Sequence, residues 1–271
     1  MRHPLRRLQI PVQLALTVLC MVGPLVTRAD MVDDRLAEMV RENVTDPWPD
    51  PVGGAQTWGL PCYALACLHL NTNVATANTY INDFYSQFPV PDSDTIEFDV
   101  YFKLHLLWRI YCDPTMNARL TATAKDNIED IMWLFINERS DVSQAQGTAW
   151  KLHDSENHDA MQKGSYLLCS EALAAAGAPY GPDRQLADGN TLAEHAAAWT
   201  DYFRRYFPGR AREGINVEIA SPVYAKYTMG VYYNIRDFAG AVVLRELADR
   251  FITLYWADTA CDWTLSGVRG G

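Results

Sequence analysis

Gly-rich phosphate cradles, dinucleotide fingerprints and Cys-x-x-Cys or Cys/His ligand spacings are all missing from this chain of 271 residues. Their absence argues against a nucleotide cofactor and against a structural zinc site. No dense run of carboxylates marks a calcium loop either, so neither a cofactor nor a metal is expected. Basic charge is in short supply: 23 Lys and Arg face 33 Asp and Glu, for a formal net charge of −10. A nucleic-acid backbone attracts clustered cations, so this balance disfavours such a partner. Strand-like alternation is scarce, low-complexity tracts are absent, and no sequence recurs at a fixed period, which counts against a regular solenoid.

What is present begins with an export signal. Arg2, Arg6 and Arg7 precede an apolar stretch from Ile10 to Val26, and Ala29 offers a small residue at a cut, so residues 1–29 read as a signal peptide. The apolar stretch is short for a bilayer span and contains Pro11 and Gln13, so no stable membrane insertion is expected after cleavage. Cleavage near Ala29 implies a secreted or periplasmic protein. It removes four arginines and no acid, moving the formal charge from −10 to −14. Five cysteines then remain, Cys62, Cys67, Cys112, Cys169 and Cys261, each among apolar or aromatic neighbours. An odd number cannot all pair within one chain; buried thiols are the simple reading, and a Cys62 to Cys67 bridge is the alternative.

The rest, residues 30–271, reads as a single all-α domain. Apolar residues recur three or four apart over Tyr63–Leu70, Ala75–Phe88, Phe98–Tyr111, Leu120–Asn137, Ala160–Ala176, Thr191–Phe207, Pro222–Ala239 and Ala241–Thr259. Punctuation such as Pro89-Val90-Pro91, Gly177-Ala178-Pro179 and Phe207-Pro208-Gly209 separates them. Short connections between helices of this length predict antiparallel hairpins, and a series of hairpins predicts an α/α toroid. Eight helices make only part of a six-hairpin ring, and the loop-like ending Leu265 to Gly271 supports an incomplete toroid, the N-terminal part of a longer protein.

Chemistry concentrates at Ser155-Glu156-Asn157-His158-Asp159, which packs two carboxylates, an amide and an imidazole onto the first turn of a predicted helix. Ser155 suits an N-cap, and Glu156 and Asp159 suit the positive end of the helix dipole. An Asn-His pair adds a neutral donor and a group that exchanges a proton near neutral pH, which capping does not require. Trp150 lies just upstream. A second junction runs from Arg212 through Glu218, Ser221 and Pro222 to Tyr224 and Tyr227, with Pro222 suited to a first helical turn. Each residue has a simpler reading. His158 could be a hydrogen-bonded histidine at a helix start, Tyr224, Tyr227, Tyr232 and Tyr233 could be packing residues, and Arg204, Arg205, Arg210 and Arg212 could solvate a helix C-terminus. Trp48, Trp58, Trp108, Trp133 and Trp150 could stack on sugars or fill the core.

These two junctions, on an all-helical export-bound background, resemble secreted α/α-toroid polysaccharide lyases of the alginate lyase and heparinase II/III type. The likeness covers residues 57–271 in architecture and only the two junctions in motif. It implies that Asn157 binds a uronate carboxylate with Arg212 as the cation, that His158 removes the C5 proton, and that Tyr224 is the acid or the base's partner. Trp150, Glu156, Glu218 and Tyr227 then line the substrate site. The longer Asn-Asn-His-Ser-Tyr-Trp run of some alginate lyases is not found here: Glu156 precedes Asn157 and Asp159 follows His158. Those acids open a second reading, a glycoside hydrolase using a pair among Glu156, Asp159 and Glu218. A non-catalytic helical glycan-binding or scaffold protein, or an inactive fragment, is the third. The partner in the leading reading is an acidic polysaccharide; the oligomeric state is not legible.

Overall fold

The computed structural model describes residues 34–45, 59–86, 100–149, 155–216, 221, 224–261 and the strand pairs 263–264 and 267–268. The signal segment, Trp150, Glu218 and Pro222 lie outside the described residues. Helix α1 spans residues 34–45. It is followed by α2 (Gly59–Leu70), α3 (Val74–Ser86), α4 (Val100–Cys112), α5 (Pro114–Asn117), α6 (Ala122–Arg139), α7 (Val142–Ala145), α8 (Glu156–Ala176), α9 (Leu192–Glu213), α10 (Ala225–Phe238) and α11 (Val242–Cys261). The elements among the described residues are all helical apart from a short hairpin pairing β1 (Trp263–Thr264) with β2 (Gly267–Val268), where the sequence suggested only loop.

Four hairpins carry the architecture: α2 with α3, α4 with α6, α8 with α9, and α10 with α11. Their first members form one row, α2 against α4, α4 against α8 and α8 against α10. The second members sit outside it, α3 against α6 and α9 against α11. Residue patterns explain the division. In α3 and α6 the buried positions form single stripes, such as Ala124, Ile128, Ile131, Met132, Phe135 and Ile136, with more polar residues opposite. Helix α8 is instead buried along most of its length and contacts α4, α6, α9 and α10.

Helix ends follow from local chemistry. Asp113 caps α5 ahead of Pro114, and the Thr121 hydroxyl accepts from the Ala124 N–H at the start of α6. At α9, Thr191 and Glu194 form a reciprocal capping box, and Gly214 ends the helix at φ 113°. The turn between α2 and α3 places Asn71 and Asn73 at φ 55° and 47°, values that asparagine tolerates. Close packing has its own requirement at Gly164, where an added Cβ would collide with Val231 Cγ1 of α10.

The structure alters one helix boundary. Helix α9 does not stop at Phe207 but continues through Pro208 to Glu213. An interior proline costs about 3 kcal/mol, and the buried Tyr206, Phe207 and Arg210 around it provide the packing that offsets this. Cys62, Cys67, Cys112, Cys169 and Cys261 are all free thiols, as in the simple reading, with Cys67 and Cys169 buried and Cys261 exposed; the alternative Cys62 to Cys67 bridge is not formed.

Candidate functional site

Three helix starts meet at one end of the first row. His158 in the first turn of α8 reaches Tyr101 at the start of α4, its Nδ1 lying 2.7 Å from the Tyr101 hydroxyl. Phe102, the next residue of α4, packs edge-on against the His158 ring at 5.1 Å and edge-on against Tyr227 of α10 at 5.1 Å. The structure therefore brings together His158 and Tyr227 through an aromatic bridge that the sequence motif did not include. Their helix N-termini together favour negative charge.

Asn157 is fully buried, with 0% exposure. Its Oδ1 accepts from the Ser155 hydroxyl, and its Nδ2 has no hydrogen-bond partner among the described residues. Ser155 holds the N-cap position with extended backbone, yet its side chain makes no capping bond to the helix N–H groups. A buried amide donor left unmatched costs on the order of 1–3 kcal/mol and is the kind of group a ligand oxygen satisfies.

The two carboxylates flanking the Asn-His pair are both paired with cations. Glu156 meets Arg210 of α9 in a contact whose side chains are 1% and 7% exposed. Asp159 meets Lys163 one turn along α8 at 2.6 Å, and Lys163 also donates to the Tyr202 hydroxyl at 3.0 Å. Beyond Arg210, the Tyr206 and Tyr232 hydroxyls bond to each other at 2.7 Å. Burial holds both phenols well above their ordinary range, so both stay neutral hydroxyls.

Of the other residues singled out from sequence, Arg212 is exposed, and the buried arginine at the site is Arg210. Tyr224 stands exposed at 49% at the N-cap of α10, with its N–H donating to the Ser221 hydroxyl. Trp150 and Glu218 lie outside the described residues. Trp108 is core, its indole N–H donating to the Leu168 carbonyl at 2.8 Å. Trp133 is half-buried between Tyr180 and the Arg184 guanidinium.

A second polar constellation escaped sequence reasoning. Ser140 Oγ lies 2.8 Å from His195 Nδ1, and His195 Nε2 lies 3.0 Å from Asp188 Oδ1. The Trp199 indole N–H donates to the same Ser140 oxygen at 2.9 Å. The ionised Asp188 carboxylate can only accept, so the Nε2–H of His195 donates to it, and in the neutral ring Nδ1 then accepts from the Ser140 hydroxyl. Burial would raise the Asp188 carboxyl, but bonds from His195, Asn190 and the Val142 N–H outweigh it and bring the carboxyl down to about 2. His195 is 0% and Ser140 3% exposed. This chain clasps the end of α6 to α9 and the loop between α8 and α9, and it offers no path to a substrate.

Among the described residues no group of three or more His, Cys, Asp or Glu could hold a metal ion, and no helix is long and apolar enough to cross a membrane. Compared with protein-family models, curated proteins and solved structures, the chain matches none. Its function has to be argued from the site itself.

Proposed function

We propose that the protein is an exported carbohydrate-active enzyme, a polysaccharide lyase that cleaves an acidic, uronate-containing glycan by β-elimination. One observation carries this reading: the unmatched amide of buried Asn157, the His158 imidazole and the Tyr227 ring are grouped where α4, α8 and α10 begin. Elimination needs such a group. The proton beside a carboxylate is weakly acidic until donors and positive charge offset the enediolate that forms. Asn157 and the helix N-termini supply the donors, and His158 and Tyr224 are the side chains assigned to the proton transfers. Tyr227, Trp150 and Glu218 are assigned to the substrate-lining surface. Arg210, held against Glu156, takes the place next to the Asn-His pair that sequence gave to Arg212, which stays a surface contact for the chain of sugars.

The two-row packing of hairpins supports a sector of an α/α toroid, with the cleft at the end where the first-row helices start. A hydrolase built on Glu156 and Asp159 is less favoured. A general acid must present its carboxyl to the glycosidic oxygen, whereas Glu156 and Asp159 are buried and turned onto Arg210 and Lys163.

The test is to expose the purified protein to a panel of uronate polysaccharides and follow the ultraviolet absorbance of unsaturated uronate, with a reducing-end assay alongside. Both signals should rise together. Reducing ends without absorbance would replace the lyase with a hydrolase, and silence in both would favour a binding protein.

A further inference from the structure

We propose that Lys226, in the first turn of α10, is a substrate-binding cation that holds a carboxylate of the acidic glycan next to the reacting sugar. The residue is exposed, and it stands where its charge is least welcome. The N-terminus of a helix carries the positive end of the dipole, so a cation there is disfavoured and an anion favoured. The first turn of α10 has no acid of its own to offset the ammonium. What meets Lys226 Nζ, among the described residues, is instead the Tyr227 ring, 4.9 Å away at its centroid. An exposed cation–π contact of that kind is weak, so it orients the side chain without neutralising it.

Two neighbours tie Lys226 to the site. Tyr227 leads through Phe102 to His158, by edge-on contacts of 5.1 Å each. On the other side lies the Cys62 thiol in the first turn of α2: burial pushes it up and the charge of Lys226 draws it back, which puts the ammonium near the start of α2 as well. The cations deeper in the site are already committed. Arg210 is held by Glu156 and Lys163 by Asp159, and Lys103 of α4 is buried with its Nζ over the Phe84 ring at 5.6 Å. Lys226 remains within reach of a bound anion. Since two aromatic rings separate it from His158, the carboxylate it takes belongs to a neighbouring sugar, and that of the reacting sugar stays with Asn157. The inference rests on the lyase reading for the identity of the anion, a uronate; holding an anion does not depend on elimination.

Calorimetric binding of polygalacturonate, alginate and hyaluronan to the wild type, Lys226→Met and Lys226→Arg, with dextran as the neutral control, tests this. At least one acidic polysaccharide should bind the wild type, dextran should not, and added sodium chloride should weaken the binding. Lys226→Met should bind about tenfold more weakly, the scale of one hydrogen bond to a charged group, while Lys226→Arg retains binding. The melting temperature should hold in Lys226→Met, since the helix end disfavours the charge it loses. Where unsaturated uronate is formed, Lys226→Met should raise KM and leave kcat unchanged, the signature of an interaction kept from ground state to transition state. An unchanged affinity in Lys226→Met, a loss shared by Lys226→Arg, or a wild type that binds no acidic polysaccharide overturns the proposal. Weaker binding by Lys226→Met without any unsaturated uronate would sink the lyase reading and leave the anion site standing. Turnover with an unaltered KM in Lys226→Met would do the reverse.

Discussion

The Arg210 guanidinium and the Glu156 carboxylate are each nearly sealed from water, so the chain tolerates neither charge well without the other. Breaking a buried pair from one side typically costs about 3–5 kcal/mol, because the remaining charge stays in a poor solvent. Arg210→Met should lose stability on that scale in urea unfolding, and Arg210→Met with Glu156→Met should recover part of it. A single-variant loss under about 1 kcal/mol would show that the pair matters little. Asp188 gives a second residue-scale expectation. Its folded pKa, about 2, lies below the unfolded carboxylate value, so its stabilisation is complete above about pH 4 and is lost as pH falls toward 2. Asp188→Asn should flatten this part of the stability profile, measured by thermal melts between pH 5 and pH 2. The Asn-His cluster was legible because its residues are adjacent, and adjacency needs no fold. Tyr101 was not, since it stands 57 positions from His158 and only the packing of α4 on α8 joins them.

At the scale of the helix, Gly164 separates two opposing effects. Alanine favours a helix over glycine by about 1 kcal/mol, but here its Cβ would collide with Val231 of the facing helix. Overpacking of this kind costs roughly 1–3 kcal/mol, so Gly164→Ala should destabilise the protein despite its better propensity. Chemical denaturation of the variant checks the direction, and a gain in stability would mean that α10 shifts to make room. The eight principal helices were readable from apolar spacing, with ends displaced by a few residues. The end of α9 was misread for a specific reason. Taking Pro208 as a stop left Arg210 in a turn beside Arg212, whereas the continued helix puts Arg210 three and four residues beyond Phe207 and Tyr206, on their buried face.

On the scale of the whole molecule, α8 touches four other principal helices and the core runs unbroken from α2 to α11. No row of hairpins can open without exposing the apolar face of the next, so unfolding should be a single cooperative transition. Tryptophan fluorescence and far-ultraviolet circular dichroism should then give coincident midpoints. Separated midpoints would show that the α2–α3 hairpin, at one edge of the row, melts independently. Hairpin pairing could be anticipated from short connections, but which helices form the first row could not, because that depends on burial around the whole circumference of α4, α8 and α10.

The sealed Ser140–His195–Asp188 chain has a practical consequence for anyone who classifies proteins by the spatial pattern of their reactive groups. Judged by atom separations alone, it passes for a hydrolytic triad, yet its imidazole is turned end for end, with Nδ1 toward the serine and Nε2 toward the acid. The serine oxygen is already engaged by an indole, and no acyl group could be seated beside it. Fluorophosphonate probes should leave the folded protein unlabelled, and an esterase screen that scored this chain as a hit would be reporting a decoy.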